Sequence, residues 1–424
     1  MKNAKTVLCM LFVMFFIFSV NAESVKNVIF LIGDGMGIPQ ITLSRVVNEG
    51  HLVMDTLKYS GLISTHSASN NITDSAAAGT ALSTGYKTTN GMIAVTPDGK
   101  SVKTILELAK ESGRKTGIVT TTTVTHATPA CFTAHNAARG NEYEIAENQL
   151  LTGADVMLGG GFKRYAKILD KVSAKNYQLV KTRDELTNIK SGKVLGLFTE
   201  SYMNYELDRT VDEPSIALMT RKALELLKND NGFFLMVEGG RIDHAAHAND
   251  PVGTVYDTLA FDKAVNEALS FAKLNRDTLI VVTADHSTGG LALGKKKYEY
   301  FPEVLKGFQH TPDFIISLMK PDFSDAREIM EKYTGYKWDD KDVKTVMAEK
   351  DCKRPSYYSL GGQATYVFTK IINNKAMIDW TTSDHEGSMV AVMADGINAN
   401  LFTGMLDNTD IPVKIAEAMG LKLK

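Results

Sequence analysis

The chain has 424 residues, 44% of them hydrophobic and 23% charged, with a formal net charge of −2. That composition is globular and excludes a disordered or low-complexity polymer. A near-neutral balance without a basic stretch excludes an electrostatic nucleic-acid binder, and three cysteines exclude a disulfide scaffold. Of the three, Cys131 and Cys352 lie beyond the leader described next and read as structural.

Residues 1–22 read as a secretory signal peptide. Lys2 and Lys5 give a positive start, Thr6 to Val20 is an apolar run, and Val20-Asn21-Ala22 fits a small-residue cleavage site. The run is shorter than the roughly 20 residues that span a bilayer. The product is therefore expected to be exported, periplasmic or secreted, with no membrane span after cleavage. Beyond it, the apolar or β-branched runs Asn27–Ile32, Gly117–Thr123, Ala154–Leu158, Phe233–Val237 and Thr278–Thr283 predict strands buried on both faces. Helical patterns fall between them at Val102–Ser112, Pro214–Lys228 and Thr254–Leu274. Alternation of this kind predicts an α/β fold with a large, mostly parallel central sheet and helices on both faces. Residues 23–424 read as one such domain. The stretch 291–380, with its aromatics, lysines and the run Trp338-Asp339-Asp340-Lys341-Asp342, reads as a crown-like insertion or cap.

Ligand-type residues follow the strands. Gly33-Asp34-Gly35-Met36-Gly37 comes after the first, and Glu238-Gly239-Gly240-Arg241-Ile242-Asp243-His244-Ala245-Ala246-His247 after Phe233–Val237. Ala284-Asp285-His286 and, near the C-terminus, Ser383-Asp384-His385-Glu386-Gly387 complete the set. In open α/β sheets the chemistry sits past the carboxyl ends of the strands. Asp243 and His247, four apart, share one face of a helical turn. Carboxylate with imidazole suits zinc, and oxygen alone suits magnesium. Each motif alone is a turn or a helix cap, but four together on separate strand ends imply cations that balance the acids. By contrast, His51, His66, His135 and His310 read as ordinary surface or core residues, and Gly159-Gly160-Gly161 as a tight turn.

The nucleophile candidate is Ser75, in Thr73-Asp74-Ser75-Ala76-Ala77-Ala78-Gly79. Small residues after a polar pair let a helix start close to other backbone, and its N-terminus favours anions. Taken alone, Asp74 or Ser75 would be an N-cap. Together with Ser83-Thr84-Gly85-Tyr86-Lys87-Thr88, Ala127-Thr128-Pro129-Ala130 and the ligand groups above, this segment resembles the alkaline phosphatase family over almost the whole chain.

The resemblance implies a phosphomonoesterase of broad specificity, a hydrolase that works through a phosphoserine. Ser75 matches the phosphorylated serine. Asp243, His247 and His385 match the ligands of one zinc, and Asp34, Asp285 and His286 those of a second, which also meets the Ser75 oxygen. Asp34, Thr128 and Glu238 match the ligands of a third ion, usually magnesium. Arg139, eleven residues after Thr128, stands where the family has a phosphate-clamping arginine, and Asp74 would orient it. His126 and His244 stand where some members have Asp and Lys. Their imidazoles put zinc or cobalt in competition with magnesium at the third site, either as ligands or through bound water. Glu386 replaces the family's usual threonine after the last zinc histidine. The expected partners are small-molecule phosphate monoesters, and a homodimer is the family's common state. The rival readings are a phosphodiesterase or sulfatase of the same superfamily, and a secreted metal- or phosphate-binding protein without turnover. A diesterase would need room where Arg139 stands, a sulfatase needs a modified nucleophile motif that is missing, and a binding protein has no need of Ser75.

Overall fold

The structure is a computed structural model that describes residues 25–350 and 362–424. The signal expected over 1–22, and Cys352, lie outside the described residues. The strands in chain order are β1 (Asn27–Gly33), β2 (Tyr59–Ser64), β3 (Lys115–Thr123), β4 (Val156–Gly160), β5 (Tyr177–Val180), β6 (Lys193–Leu197) and β7 (Phe233–Gly239). They continue with β8 (Thr278–Ala284), β9 (Ser287–Thr288), β10 (Leu291–Leu293), β11 (Ile378–Trp380), β12 (His385–Glu386), β13 (Val390–Gly396) and β14 (Gly404–Asp407). Ten of them form one sheet in the order β14-β2-β13-β8-β1-β7-β3-β4-β6-β5. Only β13 runs antiparallel to its neighbours β2 and β8. Every residue of β1, β7 and β8 is buried, as expected of strands covered on both faces.

The five strands expected from the apolar runs are present, most extended by a residue or two. Helix boundaries follow the caps. The helix expected from Val102 starts instead at Ile105, because Thr104 and Glu107 form a reciprocal capping box. The helix expected from Thr254 starts earlier, at Pro251, where Asp250 caps the backbone N–H of Val252 and proline takes the first turn.

After β8 the chain leaves the large sheet. Helices Pro312–Ser317, Ala326–Thr334, Asp340–Met347 and Gln363–Ala376 gather around Trp338 and Phe368 in a second apolar cluster. Leu43, Val47, Val252 and Val255, from helices that flank the large sheet's core, belong to the same cluster. β10 and β11 pair antiparallel at the segment's two ends.

Candidate active site

Register brings the acids together. Gly33 of β1 pairs with Gly239 of β7 and with Ala284 of β8, so Asp34 and Asp285 emerge side by side. Glu238 lies opposite Thr120 of β3, and His385 of β12 opposite Thr288 of β9. The chain turns at Gly35 with a φ of +68°, and a Cβ there would stand 2.8 Å from both Asp243 Oδ1 and Thr288 Oγ1. Glycine is therefore required at Gly35 both by conformation and by close approach.

Ser75 is the first residue of the helix Ser75–Thr84, and its Oγ lies 3.2 Å from His286 Nε2. Asp74 is the cap. Its Oδ1 accepts from Ala77 N–H at 2.9 Å, and its Oδ2 accepts from Gly91 N–H and Arg139 Nη1, each at 3.0 Å. Arg139 Nη2 donates to His126 Nε2 at 3.1 Å. A cavity of about 670 Å³ opens over these groups, lined by Ser75, Asp74, Arg139 and His126 and by Asp243, His247 and His385.

Three groups of side chains have the spacing of cation sites: Asp243 with His247 and His385, Asp34 with Asp285 and His286, and Asp34 with His126 and Glu238. Asp34 belongs to two of them. In the first, His247 Nε2 lies 3.1 Å from His385 Nε2 and 3.2 Å from Asp243 Oδ2. In the second, His286 Nε2 lies 3.2 Å from Asp285 Oδ2 and 3.4 Å from Asp34 Oδ1. Ligands about 2.0–2.1 Å from a tetrahedral zinc stand roughly 3.3 Å apart, so both groups fit one ion each. His247 Nδ1 donates to Ser383 O at 2.6 Å and His385 Nδ1 to Thr73 O at 2.9 Å, which turns each Nε2 lone pair toward the site.

The buried polar atoms without a hydrogen-bond partner point the same way. They include both oxygens of Asp34, Asp285 Oδ2, Glu238 Oε1, Thr128 Oγ1 and His126 Nδ1. Asp34, Glu238 and Asp285 are fully buried. Burial, compounded by Asp285, Asp243 and Glu238, drives the Asp34 carboxyl well above its ordinary range; burial followed by Asp243 does the same to Asp285, and burial raises Glu238. Acids packed in this way stay ionised only beside cations. Asp243 is the exception. Burial raises it, but His247 and then His385 reverse that and leave it well below the usual carboxylate value.

Thr128 sits in the helix Ala127–Thr133 beneath the third group. His126 joins that group and His244 joins none. Burial and then Arg139 lower His126 to about 3, so its ring is neutral. The ring of His244 is turned to Arg241, whose Nη1 lies 2.7 Å from His244 Nδ1. Glu386 accepts from Ser388 N–H at 2.8 Å. Two of the histidines read as ordinary surface or core residues have carboxylate partners: His135 with Glu107 and His310 with Asp208, each at 3.0 Å. Neither lines the cavity. Cys131 is a free, buried thiol that bonds Ala76 O beneath the Ser75 helix.

Several site residues escaped the sequence. Thr288 donates to Asp243 Oδ1 at 2.6 Å and lies 3.2 Å from His286 Nδ1, bridging two ligand groups. Thr120 and Thr122 both hold Glu238 Oε2. The signal available was the hydroxyl run Thr120–Thr123, which follows Gly117-Ile118-Val119 within one strand.

A serine at a helix N-terminus, a guanidinium beside it and three cation sites at the carboxyl edge of a parallel sheet define a metal-dependent phosphoryl-transfer hydrolase. The alkaline phosphatase family model matches residues 25–421, and the chain belongs to that family of phosphomonoester hydrolases. It is 36% identical to alkaline phosphatase 3 of Bacillus subtilis, over 95% of this chain and 91% of that protein. Among solved structures, a cold-active alkaline phosphatase from a psychrophilic Shewanella is 35% identical, with a TM-score of 0.87 over 93% of this chain and 99% of that one. A variant of the alkaline phosphatase of the Antarctic bacterium TAB5, with Mg bound in its M3 site, is 28% identical, with a TM-score of 0.71 over 94% and 99%.

Proposed function

We propose that this enzyme cleaves phosphate monoesters through a phosphoserine on Ser75, at a centre of two zinc ions and a third ion. The observation that carries the reading is Ser75 Oγ at a helix N-terminus, 3.2 Å from His286 Nε2 and thus at the edge of the second cation group. Asp243, His247 and His385 would hold one zinc, and Asp34, Asp285 and His286 the other. Asp34, Thr128 and Glu238 would hold the third ion through oxygen, a donor set that suits magnesium. His126 beside these oxygens is the residue that draws the site toward zinc or cobalt. Bound divalent ions supply Lewis acidity that makes hydroxyls and water nucleophilic near neutral pH.

Arg139 is fixed by Asp74 and His126 through two of its five N–H groups, which leaves three for the non-bridging oxygens of the phosphoryl group. The free N–H groups at the start of the Ser75 helix add to that field. Ser75 Oγ then bonds to phosphorus as the bond to the leaving alcohol breaks, and water cleaves the phosphoserine from the vacated side. Because the protein grips the phosphoryl group, broad specificity for the alcohol follows.

Export completes the reading. Lys2, Lys5 and the apolar run to Val20 support a cleaved leader, and among the described residues no helix is long and apolar enough to cross a membrane. The test is rapid quench with radiolabelled monoester. The parent should trap label on Ser75, while Ser75→Ala should trap none and lose roughly 10²–10⁴-fold in turnover. Full activity in Ser75→Ala refutes the covalent route. Faster turnover of a diester or a sulfate ester than of the monoester refutes the substrate class.

A further inference from the structure

The active-site cavity holds a second guanidinium that the phosphoryl chemistry does not use. Arg241 lines the same cavity as Ser75 and Arg139, yet is only 5% exposed. Its plane lies on Tyr205, 3.8 Å from the ring centre, with Tyr202 on another side at 5.8 Å. Nη1 donates to His244 Nδ1 at 2.7 Å. Nε is buried with no hydrogen-bond partner.

No counter-charge is in contact with it among the described residues. Glu142 shares the cavity, but its carboxylate is held by Arg164 at 2.8 Å and by Thr125 at 2.7 Å. Asp257 feels Arg241 through space but makes no contact with it, and its Oδ2 accepts from Glu206 N–H at 3.2 Å. A buried guanidinium with an unused N–H is costly unless an anion completes it.

Arg241 is also linked to the phosphoryl clamp through two rings. Arg139 bonds His126, the centres of the His126 and His244 rings lie 5.7 Å apart, and His244 bonds Arg241. The two guanidinium groups thus stand on either side of a pair of rings in one cavity.

We propose that Arg241, backed by Tyr202 and Tyr205, is a leaving-group subsite that selects phosphate monoesters carrying a second anionic group, carboxylate or phosphate, away from the scissile one. This rests on Arg139 taking the scissile phosphoryl group, a reading that turnover of plain phenyl phosphate by the parent and Arg139→Ala reports separately.

The test uses metal-loaded enzyme and matched substrates: an aryl phosphate with a propionate tail against its propionamide counterpart, and a hexose bisphosphate against the monophosphate. The readout is the ratio of kcat/KM within each pair. The parent should favour the anionic member about tenfold, chiefly through KM, as expected of one charge-assisted contact. The ratio should fall close to one in Arg241→Met, which keeps the stem on Tyr205, and recover in part in Arg241→Lys. A preference in only the propionate or only the bisphosphate pair identifies which anion the subsite takes. No preference in the parent for either pair, or the same ratio in Arg241→Met, overturns the proposal. Should Arg241→Met fail to fold, rising ionic strength must lower the parent's ratio. A ratio insensitive to salt overturns the proposal as well.

Discussion

Asp74 is where a plain helix cap and a catalytic support make different predictions. Its carboxylate takes three donors, Ala77 N–H on one oxygen, and Gly91 N–H and Arg139 Nη1 on the other. Asn in its place has a single acceptor oxygen. If that oxygen faces Gly91 and Arg139, the amide N–H₂ meets the N–H of Ala77 and the cap is lost, at about 1 kcal/mol of stability. If it faces Ala77, the bond to Arg139 is lost instead. The Asp74–Arg139 pair is partly exposed, so the lower end of the range for a charged hydrogen bond applies, about 1.5 kcal/mol. In either orientation the contact to Arg139 is weakened, because a neutral acceptor replaces a charged one. Asp74→Asn should therefore raise KM for monoesters and Ki for inorganic phosphate together by about three- to tenfold, since 1.4 kcal/mol is a factor of ten. The change in kcat should be smaller. Steady-state kinetics with phosphate inhibition, paired with thermal unfolding, separates the two roles. A lowered Tm with KM and Ki at parent values would refute the orienting role and leave Asp74 as a cap.

Two further outcomes test the metal centre. Magnesium titration of zinc-loaded protein should show tighter magnesium binding in His126→Asp than in the parent, because an oxygen replaces an imidazole beside Asp34 and Glu238; superimposed titrations would show that His126 does not set the preference. Chelation should expose the acid cluster: with Asp34, Asp285 and Glu238 raised in the stripped fold, its stability is fullest below the ordinary carboxylate pKa near 4 and falls as pH rises through the raised values, whereas the loaded enzyme keeps its carboxylates ionised and lacks that fall. Calorimetry across pH with and without chelator checks this, and parallel curves would refute it.

How much could be read beforehand follows from how local each feature is. β1, β7 and β8 announce themselves because strands covered on both faces are apolar almost throughout, and β3 does so by its β-branched run. β13 does not, since it alternates buried and half-buried residues, and β2 and β14, at the edge beyond it, carry exposed positions. Without those three strands the sheet's antiparallel turn and its far edge stay invisible. In the site, Asp243 and His247 were legible because a helical turn joins them. Thr288, Arg241 and Tyr202 were not, because each acts across distant segments: Thr288 reaches Asp243 over 45 positions.

The same distinction explains why the sequence only leans toward His126 over His244 at the third site. Both are histidines near expected ligands, and His126, two residues before Thr128, is the better candidate by spacing. The structure separates them by what holds the other side of each ring. His126 gives Nε2 to Arg139 and is left with an unpartnered Nδ1 in the group of Asp34 and Glu238. His244 gives Nδ1 to Arg241 and falls outside every cation group. Two guanidinium groups thus occupy one nitrogen of each ring, and they act on different parts of the cavity. In the proposed function Arg139 ties the ring nearest the cation groups to the phosphoryl clamp. Arg241 ties the outer ring to the wall where a leaving group lies. A change at His126 should therefore be felt through metal content, and a change at His244 through the position of Arg241, although the two rings stand only 5.7 Å apart.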